Sequence, residues 1–371
     1  MANNAKTFVN IAFLLAIALS LHAIQGQVQP PIDTIYQFGD SISDTGNFIR
    51  DNFIGRHSNF ANLPYGQDFF HKATGRCSNG RLMIDFFAEY FKLPYLDAYL
   101  NQGGNFSHGV NFAVVGSTAL TSATLALKGI LSPLTCSSLS VQLNWFQSHL
   151  TSICPDLSDC KSKLANALFI IESGGNDINY ALIERKRMQD IYGMVPEVVG
   201  AVKAAVEEVI SIGATRVVVP GNFVIGCLPI YLYMFPSNSA TMYDELHCLE
   251  ELNELSTFQN NFVQKIVREL QAEHPSVTIV YADYFNAMKG LLQNATALGF
   301  DETLRTCCGK GDNIANFGVT NICGLMKGVP VCPNPDKSVN WDGIHMTEHA
   351  YKIMADWLLQ HNVLPAISKA S

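Results

Sequence analysis

The sequence predicts an α/β protein built on a mainly parallel sheet with helices on both faces. Three observations carry the prediction. Continuous apolar runs rich in β-branched and aromatic residues occur at 35–38, 109–115, 167–171, 216–219 and 277–282, the pattern of strands covered on both faces. Stretches with apolar residues at helical spacing lie between them. Several of the runs end directly in clusters of Gly, Ser, Asn and Asp, as at 39–41, 116–117 and 174–177. Ligands of such folds bind at the carboxyl ends of the strands, so these three turns are expected to converge on one rim.

In chain order, 35–38 reads as a strand and 39–47, Gly39-Asp40-Ser41-Ile42-Ser43-Asp44-Thr45-Gly46-Asn47, as a turn-and-cap segment. Residues 74–81 are dominated by Gly, Ser and Asn and predict a surface loop. A helix follows over 82–91, ended by Leu93-Pro94. Residues 109–118 are a buried-strand pattern running into a glycine turn. A helix is expected over 139–150, with Leu143, Phe146 and Leu150 on one side. The strand at 167–171 meets Ser173-Gly174-Gly175-Asn176-Asp177, and a helix with an Ala and Val stripe covers 195–212. A strand at 216–219 leads into a loop over 220–229. Then come a long helix over 248–271, a strand at 277–282 and a helix over 284–292. An amphipathic helix over 347–360 buries Tyr351, Met354, Ala355 and Leu358. No internal repeat, low-complexity tract or interdomain linker interrupts the chain.

The first residues predict a cleaved secretory signal over 1–26. Lys6 precedes an apolar run, 8–24, broken by Asn10, Ser20 and His22, with Ala23 and Gly26 as small residues for cleavage. The run is short and interrupted, and no stop-transfer charge cluster follows it, which argues against a membrane anchor. The expected mature chain, 27–371, is read as a single domain. The formal charge of −8 becomes −9 once Lys6 is removed, so a nucleic-acid partner has no electrostatic basis. All ten cysteines lie beyond residue 26, and an even number behind a signal favours disulfides. Cys154 and Cys160 bracket a loop short enough to be stapled, whereas adjacent Cys307 and Cys308 are expected to take separate partners such as Cys323 and Cys332. There is no C-x-x-C or H-x-x-x-H pattern, so neither a metal nor a cofactor is expected. Asn105-Phe106-Ser107 and Asn294-Ala295-Thr296 are glycosylation acceptors that fit a secretory route to the cell exterior or the vacuole.

Ester cleavage by a serine needs a hydroxyl, a base for its proton, a carboxylate to orient the base and donors for the oxyanion. Ser41 supplies the hydroxyl at a strand end. Trp341-Asp342-Gly343-Ile344-His345 supplies a carboxylate three residues before an imidazole. That spacing lets Asp342 reach the near ring nitrogen of His345 and leaves the far one for Ser41. The backbone N–H groups of Ser41 and Gly116 and the amide of Asn176 are candidate oxyanion donors. Each feature alone also fits ordinary turn and cap chemistry. His57, His71, His108 and His349 have no comparable carboxylate spacing and read as surface or core residues.

Gly39-Asp40-Ser41 with Asp44-Thr45-Gly46-Asn47, Gly116, Gly175-Asn176-Asp177 and Asp342-x-x-His345 occur in the order of four blocks of the plant GDSL esterase/lipase family, the SGNH hydrolases, which this chain resembles. Pro64-Tyr65-Gly66, 75–81, Gly226-Cys227-x-Pro229 and Cys307-Cys308-Gly309 are similar to that family as well. The serine stands in G-D-S rather than in the G-x-S-x-G elbow of α/β-hydrolases. The resemblance implies a flavodoxin-like three-layer α/β/α fold. It also implies catalytic roles for Ser41, Asp342 and His345, and an oxyanion hole of Ser41, Gly116 and Asn176. A small-molecule ester, such as the acetyl ester of an alkaloid or other specialised metabolite, is the expected substrate. Acyl transfer, lipid or acetylated polysaccharide substrates, and a non-catalytic binding role on the same fold are the competing readings.

Overall fold

The computed structural model describes residues 32–154 and 156–369; the expected signal segment, 1–26, lies outside them. Five parallel strands form the central sheet: β1 (Thr34–Phe38), β2 (Gly109–Asn111), β3 (Ala167–Ile171), β4 (Arg216–Pro220) and β5 (Thr278–Ala282). Their order is β2-β1-β3-β4-β5. This is the flavodoxin-like order, and the connections change side between β1 and β3, where such sheets open a ligand crevice. Every residue of β3 is buried, as a strand covered on both faces requires.

The helices follow the apolar periodicity of the sequence. They are α1 (Met83–Tyr90), α2 (Leu139–Ile153), α3 (Gly175–Ile183), α4 (Met188–Ile212), α5 (Glu250–Glu273), α6 (Tyr284–Gln293) and α7 (Glu348–Leu358). With the sheet they make a three-layer α/β/α sandwich. In α7 the buried stripe is Ala350, Tyr351, Met354, Ala355 and Leu358, and the Thr347 hydroxyl caps the helix by accepting Ala350 N–H at 3.3 Å.

Three expectations are corrected by the structure. The strand pattern at 109–118 gives a ladder of only three residues. Beyond it the chain stays buried and extended, bonding Phe112 N–H to Gln37 O and Val114 N–H to Gly39 O, and then turns away at Gly116. Helix α4 starts at Met188 rather than Val195, because buried Ile191 and Met194 extend its apolar stripe upstream, with Pro196 accommodated inside it. Gly175-Asn176-Asp177 is the first turn of α3, with Gly174 (φ 102°) as its cap residue, rather than a free turn.

Apart from the central sheet, β6 (Glu302–Thr306) and β7 (Ser338–Asn340) form a small parallel pair that the apolar pattern does not reveal. Disulfides Cys307–Cys332 and Cys308–Cys323 staple the segment around it, as the spacing predicted, and Cys154–Cys160 closes the short loop. A fourth bridge, Cys227–Cys248, ties the loop after β4 to the start of α5. Cys77 and Cys136 are unpaired, the first buried and the second exposed, so the even cysteine count does not translate into complete pairing. No helix of the described residues is long and apolar enough to cross a membrane.

Candidate active site

The polar ends of β1 and β3, the Gly116 turn and the segment after β7 meet at the β1/β3 crevice. Ser41 follows β1 directly. Its Oγ lies 2.8 Å from His345 Nε2, and His345 Nδ1 lies 2.8 Å from Asp342 Oδ2 and 3.0 Å from Oδ1. All three side chains are buried. The Asp-x-x-His turn is locally determined: the backbone N–H groups of Ile344 and His345 both donate to Asp342 Oδ1 at 2.8 Å, and Trp341 N–H donates to His345 O at 2.8 Å. The stapled segment holds this turn from outside, with Cys307 N–H on Asn340 O and Cys308 N–H on Trp341 O.

Tyr65 completes the carboxylate's surroundings. Its hydroxyl donates to Asp342 Oδ2 at 2.7 Å and accepts from Asn59 Nδ2 at 3.0 Å. Burial, and then the neighbouring Asp342 charge, push the Tyr65 phenol well above its ordinary value, so it stays a donor. Burial alone would raise the Asp342 carboxyl, but the His345 charge, the His345 ring and backbone N–H and the Ile344 N–H outweigh it and hold Asp342 below the usual carboxylate range. Phe60 packs edge-on against the His345 ring at 5.7 Å. Neither Tyr65 nor Phe60 carries a local sign of this role; only their position in the fold brings them to the Asp342–His345 pair.

The candidate oxyanion donors stand in the neighbouring turns: Asn176 lines the same recess as Ser41, and Gly116 follows Val115, whose N–H the Asp44 carboxyl accepts. Gly116 turns with φ 78°, a conformation that favours glycine, and its carbonyl accepts the Tyr180 hydroxyl at 2.9 Å. The N–H groups of Ser41 and Gly116 have no hydrogen-bond partner among the described residues. The Asn176 amide donates to Ser117 O at 3.0 Å and to Asp40 Oδ2 at 3.2 Å, which ties the start of α3 to both turns. Gln142 on α2 clamps Gly39 by accepting its N–H and donating to its carbonyl, both at 2.8 Å. Among the described residues no group of three His, Cys, Asp or Glu side chains is placed to hold a metal ion. The sequon asparagines, Asn105 and Asn294, are exposed.

Residues 35–358 match the profile of the GDSL-like Lipase/Acylhydrolase family. The chain belongs to this family. Acetylajmalan esterase 2 of Rauvolfia serpentina is 47% identical to this GDSL chain over 349 residues, covering 92% of it and 95% of the relative. Acetylajmalan esterase of the same plant is 44% identical over 369 residues, 98% and 92% of the two chains. Sinapine esterase of Brassica napus is 42% identical over 331 residues, 88% and 85%. This GDSL protein is accordingly a carboxylic ester hydrolase.

Buried carboxyl groups around the GDSL turn make its stability depend on pH. Burial pushes Asp40 and Asp177 up to about 6 each, and burial followed by the Asp40 charge puts Glu172 well above its ordinary value. An acid whose folded value exceeds its unfolded value binds more protons when folded, so stability falls as pH rises. The advantage is full below the unfolded values near 4 and is lost as pH passes the folded values near 6. Asp342, shifted the other way, loses its contribution only below about pH 4. The expected result is a Tm higher at pH 4.5 than at pH 7.5 by scanning calorimetry; a Tm rising across that interval contradicts the shifts.

Proposed function

We propose that this chain is a secreted serine esterase that removes a small acyl group, acetyl foremost, from a bulky apolar alcohol such as an alkaloid or another specialised metabolite. Ser41 Oγ attacks the ester carbon while His345 Nε2 takes its proton, and Asp342 stabilises the imidazolium. The oxyanion is received by the Ser41 and Gly116 N–H groups and the Asn176 amide. His345 then protonates the departing alcohol, and water, deprotonated by the same imidazole, releases the acid from Ser41.

One observation carries the substrate assignment: the spaces on the two sides of the Ser41–His345 pair are unequal. The alcohol must leave beside His345, which donates its proton. There the protein opens a cleft of about 750 Å³ that includes Phe60, Ile230, Tyr233, Phe317 and Ile344. The acyl group must lie beyond Ser41, where a recess of only about 40 Å³ is bounded by Asn176, Asn179, Asn222, Phe223 and Leu228. Such a recess favours a short acyl group over a long chain. The name acetylajmalan esterase, carried by the relatives from Rauvolfia, describes an acetyl ester and supports the same division. Four disulfides and two exposed sequon asparagines, Asn105 and Asn294, support a secretory route for one domain over 27–371, ending outside the cell or in the vacuole.

The test is a series of 4-nitrophenyl esters together with fluorophosphonate labelling of Ser41. The expected outcome is a labelled Ser41 and a kcat/KM that falls by about 10-fold or more between acetyl and hexanoyl. A preference for long chains would favour a lipase, and a folded protein that neither labels nor turns over would favour a binding role.

A further inference from the structure

The parallel register of β1 and β3 delivers two carboxyl groups to one point. Phe38 and Ile171 are register partners, so the residues that follow them, Gly39-Asp40 and Glu172, leave the sheet side by side. Glu172 N–H donates to Phe38 O at 3.1 Å. The Glu172 side chain fills the place that Gly39 leaves open: a Cβ on Gly39 would stand 2.5 Å from Glu172 Oε2. Glu172 Oε2 accepts Asp40 N–H at 3.2 Å, which brings the Glu172 carboxyl beside that of Asp40. Asp40 Oδ1 accepts Ile42 N–H at 3.0 Å, and Asp40 Oδ2 accepts the Asn176 amide at 3.2 Å. A continuous chain therefore runs from Glu172 through Asp40 to Asn176. The Ser41–His345–Asp342 chemistry makes no use of Glu172.

Asp40 and Glu172 are 4% and 7% exposed. The ionisable groups that face the pair include His345, Asp44 and Asp177, with no lysine or arginine among them. Two carboxyl groups in contact away from water share a proton, because both ionised forms together are too costly. We propose that Glu172 is a positioning residue of this esterase: the proton it shares with Asp40 keeps Asp40 a weak acceptor, so that the Asn176 amide is released to the oxyanion instead of being held by a full carboxylate. The inference rests on Ser41 as nucleophile and Asn176 as oxyanion donor. The competition is direct, since the amide proton on Asp40 Oδ2 is one that the oxyanion would take. A bond from an amide to an ionised carboxylate is roughly twice as strong as one to a neutral acceptor. A doubly charged pair beside the reacting carbonyl would also oppose the developing negative charge.

Glutamine is the isostere of the protonated form. Its carbonyl can accept Asp40 N–H and its NH2 can donate to the Asp40 carboxyl, but it has no proton to lose. With 4-nitrophenyl acetate, Glu172→Gln is expected to keep kcat within about threefold. Glu172→Ala is expected to lower kcat by about 10-fold or more while leaving KM nearly unchanged, as for partial loss of an oxyanion donor. The wild type should lose kcat on the alkaline side as the pair gives up its last proton, and Glu172→Gln should not. Other groups facing the pair are Tyr284 of α6, Tyr180 and Asp177 of α3, Cys77, Asp44 and His345. Burial pushes Tyr284, Tyr180 and Cys77 up as well. Equal losses in the two variants, wild-type kcat in Glu172→Ala, or identical alkaline limbs in wild type and Glu172→Gln would each overturn the proposal. If Glu172→Ala does not fold, the alkaline limb of Glu172→Gln decides. A wild type that neither hydrolyses the ester nor labels at Ser41 would remove the esterase mechanism itself, a separate and recognisable failure.

Discussion

Ser41→Ala is expected to lower kcat for 4-nitrophenyl acetate by about 10⁴-fold or more, with the fold intact. The hydroxyl has one hydrogen-bond partner among the described residues, His345 Nε2 at 2.8 Å. Its removal therefore costs only about 1 kcal/mol of stability, while the acyl-enzyme route is lost entirely. The backbone around it does not depend on that hydroxyl: Gln142 holds Gly39, and Asp40 O accepts the N–H groups of Ser43 and Asp44. His345→Ala should fall to nearly the same level, because a serine with no base is as ineffective as a base with no serine. The decisive measurement is the double variant. If Ser41 and His345 act as one unit, Ser41→Ala/His345→Ala is no slower than either single change. Losses that multiply, or a Ser41→Ala protein within 10-fold of wild type, would place the nucleophile elsewhere.

The legible parts of this protein are those in which physics acts over a few residues. Residues 167–171 are wholly apolar, and a strand covered on both faces has no other composition, so β3 is read without error. Asp342 and His345 are three residues apart, and the turn that joins them is made from their own backbone N–H groups. Tyr65 is invisible at that range, because its partner Asp342 lies 277 positions away. The role of Glu172 depends on the register of two strands that are distant in sequence. Strands β6 and β7 are short, and Glu302–Thr306 holds a single apolar residue, Leu304, so no sequence period marks them. Cys77 and Cys136 show the same limit, since a count of thiols says nothing about which of them are brought together.

Asp44→Ala is expected to destabilise the protein by at least about 4 kcal/mol, on the basis of about 1 kcal/mol or more for each buried donor left without an acceptor. Asp44 is fully buried and accepts four backbone N–H groups. Oδ1 takes Gly46 and Asn47, both at 2.6 Å, and Oδ2 takes Phe48 at 3.0 Å and Val115 at 2.9 Å. The first three close the turn after Ser41 on itself, and the fourth ties that turn to the residue before Gly116. One carboxylate thus fixes both Ser41, the proposed nucleophile, and a candidate oxyanion donor to the same frame. Asp44→Asn keeps one acceptor oxygen but places an NH2 against donors, so it should recover less than half of the loss. Urea unfolding followed by tryptophan fluorescence reads the difference in midpoint at constant slope. Because Val115 moves with Gly116, the alanine variant should also lose kcat beyond what its folded fraction explains. A loss under about 1 kcal/mol would mean that water replaces the carboxylate at these donors, and the turn would then owe its shape to Asn47, whose amide donates to Asn111 O and Ala113 O at 2.8 and 2.9 Å.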